Sequence, residues 1–489
     1  MQAADRGMVT WSSVSSPRLA AACVIGLLAG CNALTGVGDL AATACDTCGG
    51  GIEGGADSGT DAMTIDRDGA PVDGPVADTS MEGPGGTLDP TFGTGGIIEA
   101  DLIADPRAVA VRADGRIVVA GGFQNELAAV AFTSTGAVDT TFGGNGRVAE
   151  GMGSSSVANA LAFDSMGRAL LGGVSVVVGT TTSTRYAYVV RIGASQVDPT
   201  FGNNGSWRGN DGGQEVRGLV VTANGGVALG VTDNANHTFW RLTAAGAPDP
   251  AFGSNGTASV SVGDETAGLV AQPDGFVSGG SGRLASNERA LGAAKVSLAG
   301  LPASGFGAAG KAAARIGTKN DEIGKAIAAQ PDGKVVVVGE YDPNANVNTV
   351  RRATAAVRFT ATGQLDTAYG ASGIAVIDLA EPLVARETQT TPVSVAIDAK
   401  GRALFVGTID DKSIVAGGMD RSRVWVVRLR ADGSFDPLFG AQGKLFVAAP
   451  GRLEARAATL QPDGKLVVVG VSRDRGKPFV ARIVTSTTL

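Results

Sequence analysis

Two short phrases alternate down most of this chain, and that alternation restricts the fold more than any other feature. The first, Leu88-Asp89-Pro90-Thr91-Phe92-Gly93, returns around Phe142, Phe201, Phe252, Phe306, Tyr369 and Phe439, at steps of 50, 59, 51, 54, 63 and 70 residues. Glycine follows the aromatic every time, at Gly93, Gly143, Gly202, Gly253, Gly307, Gly370 and Gly440. Aspartate stands three residues ahead of it in six copies, at Asp89, Asp139, Asp198, Asp249, Asp366 and Asp436; Ala303 replaces it in the fifth. The second phrase is a turn between two apolar, β-branched runs. It appears first at Asp114-Gly115 and recurs at Met166-Gly167, Asn224-Gly225, Asp274-Gly275, Asp332-Gly333, Lys400-Gly401 and Asp463-Gly464. Such a dipeptide between apolar runs signals a hairpin, because glycine takes the positive φ that the turn needs.

A third apolar run, such as Tyr186 to Ile192, closes each unit. The pattern therefore predicts four strands per unit: a after the Phe-Gly phrase, b and c on either side of the Asp-Gly turn, and d before the next phrase. Seven such units, with no long helical periodicity, predict an all-β, seven-bladed β-propeller of four-stranded antiparallel blades. Ring closure would also remove the open edges of a linear array. An open β-solenoid is the rival fold, although its rungs are usually shorter. The 74 glycines among 489 residues suit a chain with this many tight turns.

The phrases closely resemble the delta-60 repeat, a bacterial repeat with an Asp-Pro-x-Phe-Gly phrase and a Pro-Asp-Gly-Lys turn. Gln330-Pro331-Asp332-Gly333-Lys334 and Gln461-Pro462-Asp463-Gly464-Lys465 are the clearest copies. The resemblance runs over residues 88–489 and implies the fold and an envelope setting, but no particular activity. The fifth Phe-Gly phrase and the second and sixth Asp-Gly turns depart from the pattern.

Ahead of the repeats the composition changes. An apolar run from Leu19 to Gly30 follows Arg18; it is too short to span a bilayer and suits a signal peptide. Leu28-Ala29-Gly30-Cys31 resembles the lipobox of bacterial lipoproteins, which implies cleavage before Cys31 and a lipid on its thiol. Met8 as the start would shorten a long leader. Residues 32 to about 86 are rich in Gly, Asp, Ala and Pro and poor in large apolar side chains, so they cannot bury enough surface to fold. The expected organisation is thus a lipoprotein signal peptide over 1–30, a lipidated cysteine and disordered, flexible tether over 31–87, and the propeller over 88–489. Cys45 and Cys48 are expected to form a small local disulfide rather than a redox pair, since no folded helix start is there to lower a thiol pKa. Asp66, Asp68 and Asp73 lack the closing acidic ligand of a calcium loop.

Little in the body points to catalysis. All four cysteines precede residue 49 and His237 is the only histidine, so no Cys/His metal site is expected, and no cofactor. A Ser-His-Asp triad would have to use His237, yet no G-x-S-x-G elbow exists; a surface position on a strand is expected for it. Gly305 to Lys311 imitates a P-loop, but Ala312 stands where a hydroxyl is needed and no βαβ unit surrounds it. The net charge of −7 speaks against nucleic acid as a partner. The repeated Asp, Phe and Gly are read as structural: Asp bonding local backbone amides, the aromatic wedged between blades.

Chain order assigns the two faces. The regular Asp-Gly and Phe-Gly turns share one face, while the a–b and c–d loops share the other. Insertions collect on that second face, at Val176 to Arg185, Tyr341 to Arg352, Glu381 to Thr391 and Thr408 to Arg423. The expected function is a lipid-anchored cell-envelope protein, at the outer membrane, whose non-enzymatic propeller binds a protein or glycan there. The alternative is a propeller hydrolase or lyase using carboxylates near the central channel, and a purely structural surface protein is a third reading.

Overall fold

The apolar runs become strands because both of their faces find cover. The computed structural model describes residues 82–488, apart from 211, 234–235, 264, 319–320, 344–351, 380–385, 414–420 and 449–450. The leader, Cys31, Cys45, Cys48 and the tether aspartates lie outside the described residues. Among those described there is no α-helix.

Blade 1 is a meander of Asp105–Val111, Ile117–Phe123, Glu126–Phe132 and Arg147–Glu150, with each strand antiparallel to the next. Blades 2 to 6 repeat this order, with innermost strands Ser155–Phe163, Glu215–Val221, Thr266–Gln272, Ile323–Ala329 and Arg386–Ile397. Blade 7 runs Leu453–Leu460, Leu466–Ser472 and Lys477–Val484, and takes its outermost strand, Ile97–Glu99, from the other end of the chain. Ile98 pairs with Val480 and Leu88 with Ile483, so the ring is closed by hydrogen bonds rather than by a covalent link. The innermost strands of adjacent blades pack on one another all the way round, including the seventh on the first. The open solenoid is thereby excluded.

The sheets are partitioned one strand later than the sequence reading had it. The strand after each Phe-Gly phrase does not open a blade; it completes the preceding one as its outermost strand. The phrase itself is the reason. It folds into a tight turn in which Asp139 N donates to Ala131 O and Gly146 N to Phe142 O, so the strands on either side of it must pair. The assignment of faces survives, because the two regular turns still lie at one end of every blade.

The apolar core is divided into seven layers, one at each seam between blades. Along one strand, alternate side chains serve opposite seams. Val118 and Ala120 pack toward blade 2, whereas Ile117 and Val119 pack toward blade 7. This explains why the runs are continuously apolar instead of alternating with polar residues.

Candidate functional site

The repeated phrase residues come together at the seams. At each seam the Phe-Gly amide crosses to the next blade. Gly202 N donates to Ala245 O at 2.7 Å, Gly253 N to Ala299 O at 2.8 Å and Gly370 N to Asp432 O at 2.7 Å. At the ring closure Gly440 N donates to Gly85 O at 2.9 Å, with Gly86 pressed against Gly440 as Gly246 is against Gly202. The aspartate does bond local backbone: Asp89 Oδ1 accepts from Thr91 N at 3.0 Å and Asp198 Oδ1 from Thr200 N at 3.0 Å.

A second partner of the aspartate was missed from sequence. A basic residue on the third strand lies over the aromatic and pairs with the carboxylate. Arg482 Nε stands 2.8 Å from Asp89 Oδ2, with its guanidinium 4.6 Å from the centre of the Phe92 ring. Arg191 repeats this with Asp198 and Phe201, Arg241 with Asp249 and Phe252, Arg358 with Asp366 and Tyr369, and Arg428 with Asp436 and Phe439. Each guanidinium also donates to a turn carbonyl of the following blade; Arg191 reaches Ala244 O at 2.8 Å. One side chain thus joins a carboxylate, an aromatic face and a neighbouring blade. The signal that could have revealed it is an Arg eight residues before the Asp, as in Arg241/Asp249, Arg358/Asp366 and Arg428/Asp436.

Two seams depart from this pattern. In blade 4, where Ala303 has replaced the aspartate, the cation is Lys295, which pairs with Asp274 of the Asp-Gly turn at 2.8 Å. In blade 1 the cation is absent and Ala131 takes its place. There Asp139 is left with Arg116 at 3.3 Å, and the crossing bond from Gly143 N to Ala194 O is 3.3 Å. Phe142 keeps 7% of its surface exposed, while the other six aromatics keep at most 1%. These residues build the ring.

On that face the innermost strands carry a feature no motif announced. Every one has a β-bulge at the same point, displacing Arg107, Asn159, Arg217, Ala267, Lys325, Val393 and Arg456 from the ladder, one per blade around the axis. Bulges re-aim side chains. Here they start a chain of polar contacts between blades: Arg107 donates to Asn159 Oδ1 at 3.1 Å, and Asn159 to Glu215 Oε1 at 2.7 Å. Glu215 is also 3.3 Å from Arg217 and 3.5 Å from Arg185, which stands on the Val176 to Arg185 insertion. Lys325 pairs with Glu340 at 3.4 Å, and Arg456 with Glu454 at 3.2 Å. Arg473 bridges Glu454 at 2.7 Å and Asp410 at 2.8 Å, joining blade 7 to the long hairpin of blade 6. Burial works against the charge of Arg473, but the two carboxylates outweigh it and hold its pKa above the ordinary value. The insertions at 341–352, 381–391 and 408–423 rise from this face, and their residues 344–351, 381–385 and 414–420 lie outside the described residues.

His237 is not on the surface as expected. It is fully buried at the seam between blades 3 and 4, with Nδ1 2.7 Å from Ser278 Oγ and Nε2 2.9 Å from Ser281 O. The carbonyl can only accept, so Nε2 carries a proton and donates to it. The P-loop imitation at 305–311 is a turn leading into the strand Lys311–Ala314, with no helix to follow. Among the described residues no group of three or more His, Cys, Asp or Glu side chains is placed to hold a metal ion.

Comparison with known proteins agrees with this architecture. A family model described as "Domain of unknown function (DUF5122) beta-propeller" matches residues 112–142 and 330–369, which hold the Asp-Gly turn and Phe-Gly phrase of blades 1 and 5. No curated protein matches the chain by sequence. Similar solved structures include virginiamycin B lyase from Staphylococcus aureus, 9% identical, over 79% of this chain and 98% of that one, with a TM-score of 0.42. The polysaccharide lyase Uly1 is 9% identical over 84% and 98%, with a TM-score of 0.44. The N-terminal domain of Nup159 is 9% identical over 82% and 99%, with a TM-score of 0.39. The chain is a repeat propeller protein.

Proposed function

We propose that this protein is a non-enzymatic binding propeller of the bacterial cell envelope, built of delta-60 repeats and lipid-anchored through Cys31, which recognises a protein or glycan on its insertion face around the ring axis. The mouth of the ring is polar, as the hydrolase or lyase alternative would also require, so polarity alone does not separate the two. The observation that favours binding is the pairing of the carboxylates. Asp105, Glu215, Glu340, Glu454 and Asp410 each stand against a guanidinium or ammonium at 2.7 to 3.5 Å. Carboxylates engaged by cations of the same chain are committed to the structure of the face, whereas catalysis calls for polar groups that converge on an open pocket.

The test is capture of a partner from native envelopes by the full chain, and by variants with alanine blocks across 341–352 and 408–423. Loss of capture in the block variants supports the reading; equal capture by all three contradicts it. The anchor is tested separately, since Cys31→Ala should move the protein from the membrane fraction to the soluble one.

A further inference from the structure

Resting on that reading of the insertion face, we infer that the ligand presents a compact anionic group, a cluster of carboxylates or phosphates, to the ring axis. The seven bulge positions carry no acidic residue. Four of them are basic, although Lys and Arg make up only 40 of the 489 residues and the chain as a whole is negative. The basic members are Arg107, Arg217, Lys325 and Arg456, on blades 1, 3, 5 and 7, so that ring closure makes Arg456 and Arg107 neighbours; Asn159, Ala267 and Val393 stand on blades 2, 4 and 6. Four cations distributed round one axis, two of them on neighbouring blades, suit a single anion bridging several of them.

A purely structural role would place the cation inside and hide it, as Arg482 and Arg428 are hidden at the seams. Here the order is reversed. Glu215 and Glu340 keep only 5% and 6% of their side-chain surface exposed, whereas their partners Arg217 and Lys325 keep 41% and 31%. Arg107 and Arg456 keep 39% and 41%. Donors also remain. Among the described residues, Arg217 meets an acceptor only through Nε, so both of its terminal nitrogens have none; Arg456 meets one only through a terminal nitrogen. Arg107 uses Nε and one terminal nitrogen and leaves the other without an acceptor. Guanidinium donors of this kind match carboxylate and phosphate oxygens in pairs.

Titration calorimetry of the full chain with citrate and with tripolyphosphate tests this. Binding of either anion is expected, weakening with added salt and falling by about tenfold or more in the combined variant Arg107→Gln, Arg217→Gln, Arg456→Gln. The corresponding Arg→Lys variant, which keeps the charge, should retain most of the affinity and guards against misfolding. Arg430→Gln, on the opposite face, should bind as wild type does. Binding of citrate alone or tripolyphosphate alone identifies the anion. Binding of neither, or undiminished binding by the Gln variant, overturns the inference, and binding only of a long polygalacturonate overturns its compactness. If the alanine blocks still abolish partner capture while neither small anion binds, this inference fails and the binding reading stands.

Discussion

Replacing Arg482 by Met removes one side chain that ties three distant stretches of chain together. Its guanidinium contacts Asp89 at 2.8 Å and Thr91 Oγ1 at 3.1 Å in the N-terminal phrase, covers Phe92, and donates to Ser134 O in blade 1, all from the third strand of blade 7. Met preserves much of the apolar stem, so the loss falls mainly on the charge. Breaking a buried ion pair by removing one partner costs about 3–5 kcal/mol. Lys465 still stands 3.2 Å from Asp89, which places this case at the lower end. Loss of the cation from the Phe92 face adds about 0.5–1 kcal/mol. The expected destabilisation is therefore about 3–4 kcal/mol, read from the midpoint of equilibrium urea unfolding. Adding Asp89→Asn should cost less than the sum of the two single changes, with a coupling of about 1–3 kcal/mol. A cost for Arg482→Met below about 1 kcal/mol, or strict additivity with Asp89→Asn, would refute the view that this guanidinium latches the ring.

Acid should weaken the same latches. Asp89 and Asp198 titrate at about 2, because burial, which opposes ionisation, is outweighed by hydrogen bonds from Thr91 and Thr200 and by the adjacent cations. Their folded pKa lies below the unfolded value of about 3.9, so the stability they add is present above about pH 4 and is lost as pH falls toward 2. Thermal midpoints followed by circular dichroism should drop through that window, and less steeply in Asp89→Asn. Gly246→Ala should cost about 3 kcal/mol in urea unfolding, since φ is +82° and a Cβ would lie 2.5 Å from Gly202 N; Gly144→Ala, at φ +78° in open space, should cost only about 1 kcal/mol. The blade 1–2 seam, which lacks the cation, should open first: the Gly143 amide should exchange its hydrogen faster than those of Gly202, Gly253 and Gly370, and equal rates would contradict this.

Much of the architecture could be read from residues whose local physics fixes them. Asp-Gly turns and Phe-Gly corners announce themselves because glycine and the aromatic have few alternatives there. The two-sided burial of the runs was legible in their unbroken apolar character, as Val335 to Val338 shows. What stayed hidden depends on partners far away in sequence. Arg482 meets Asp89 only after ring closure, nearly the whole chain later. The partition of strands also stayed hidden, because a three-residue strand such as Ile97–Glu99 carries no signature of the sheet it joins. The bulges that bring Arg107, Arg217, Lys325 and Arg456 to the axis leave no mark in a one-dimensional pattern, so the candidate site was located by face but not by residue. The burial of His237 also stayed hidden, because the groups that meet its ring nitrogens, Ser278 and Ser281, belong to the next blade.

Closure of the ring by its own N-terminal strand is tested most directly by amide hydrogen exchange in Ile97–Glu99, measured by mass spectrometry on the full chain. The structure predicts protection comparable to that of Thr257–Val260, the outermost strand of blade 3. Exchange at the rate of an unstructured peptide would contradict it, as would protection that fades on dilution, which would mean that the strand is donated by another molecule.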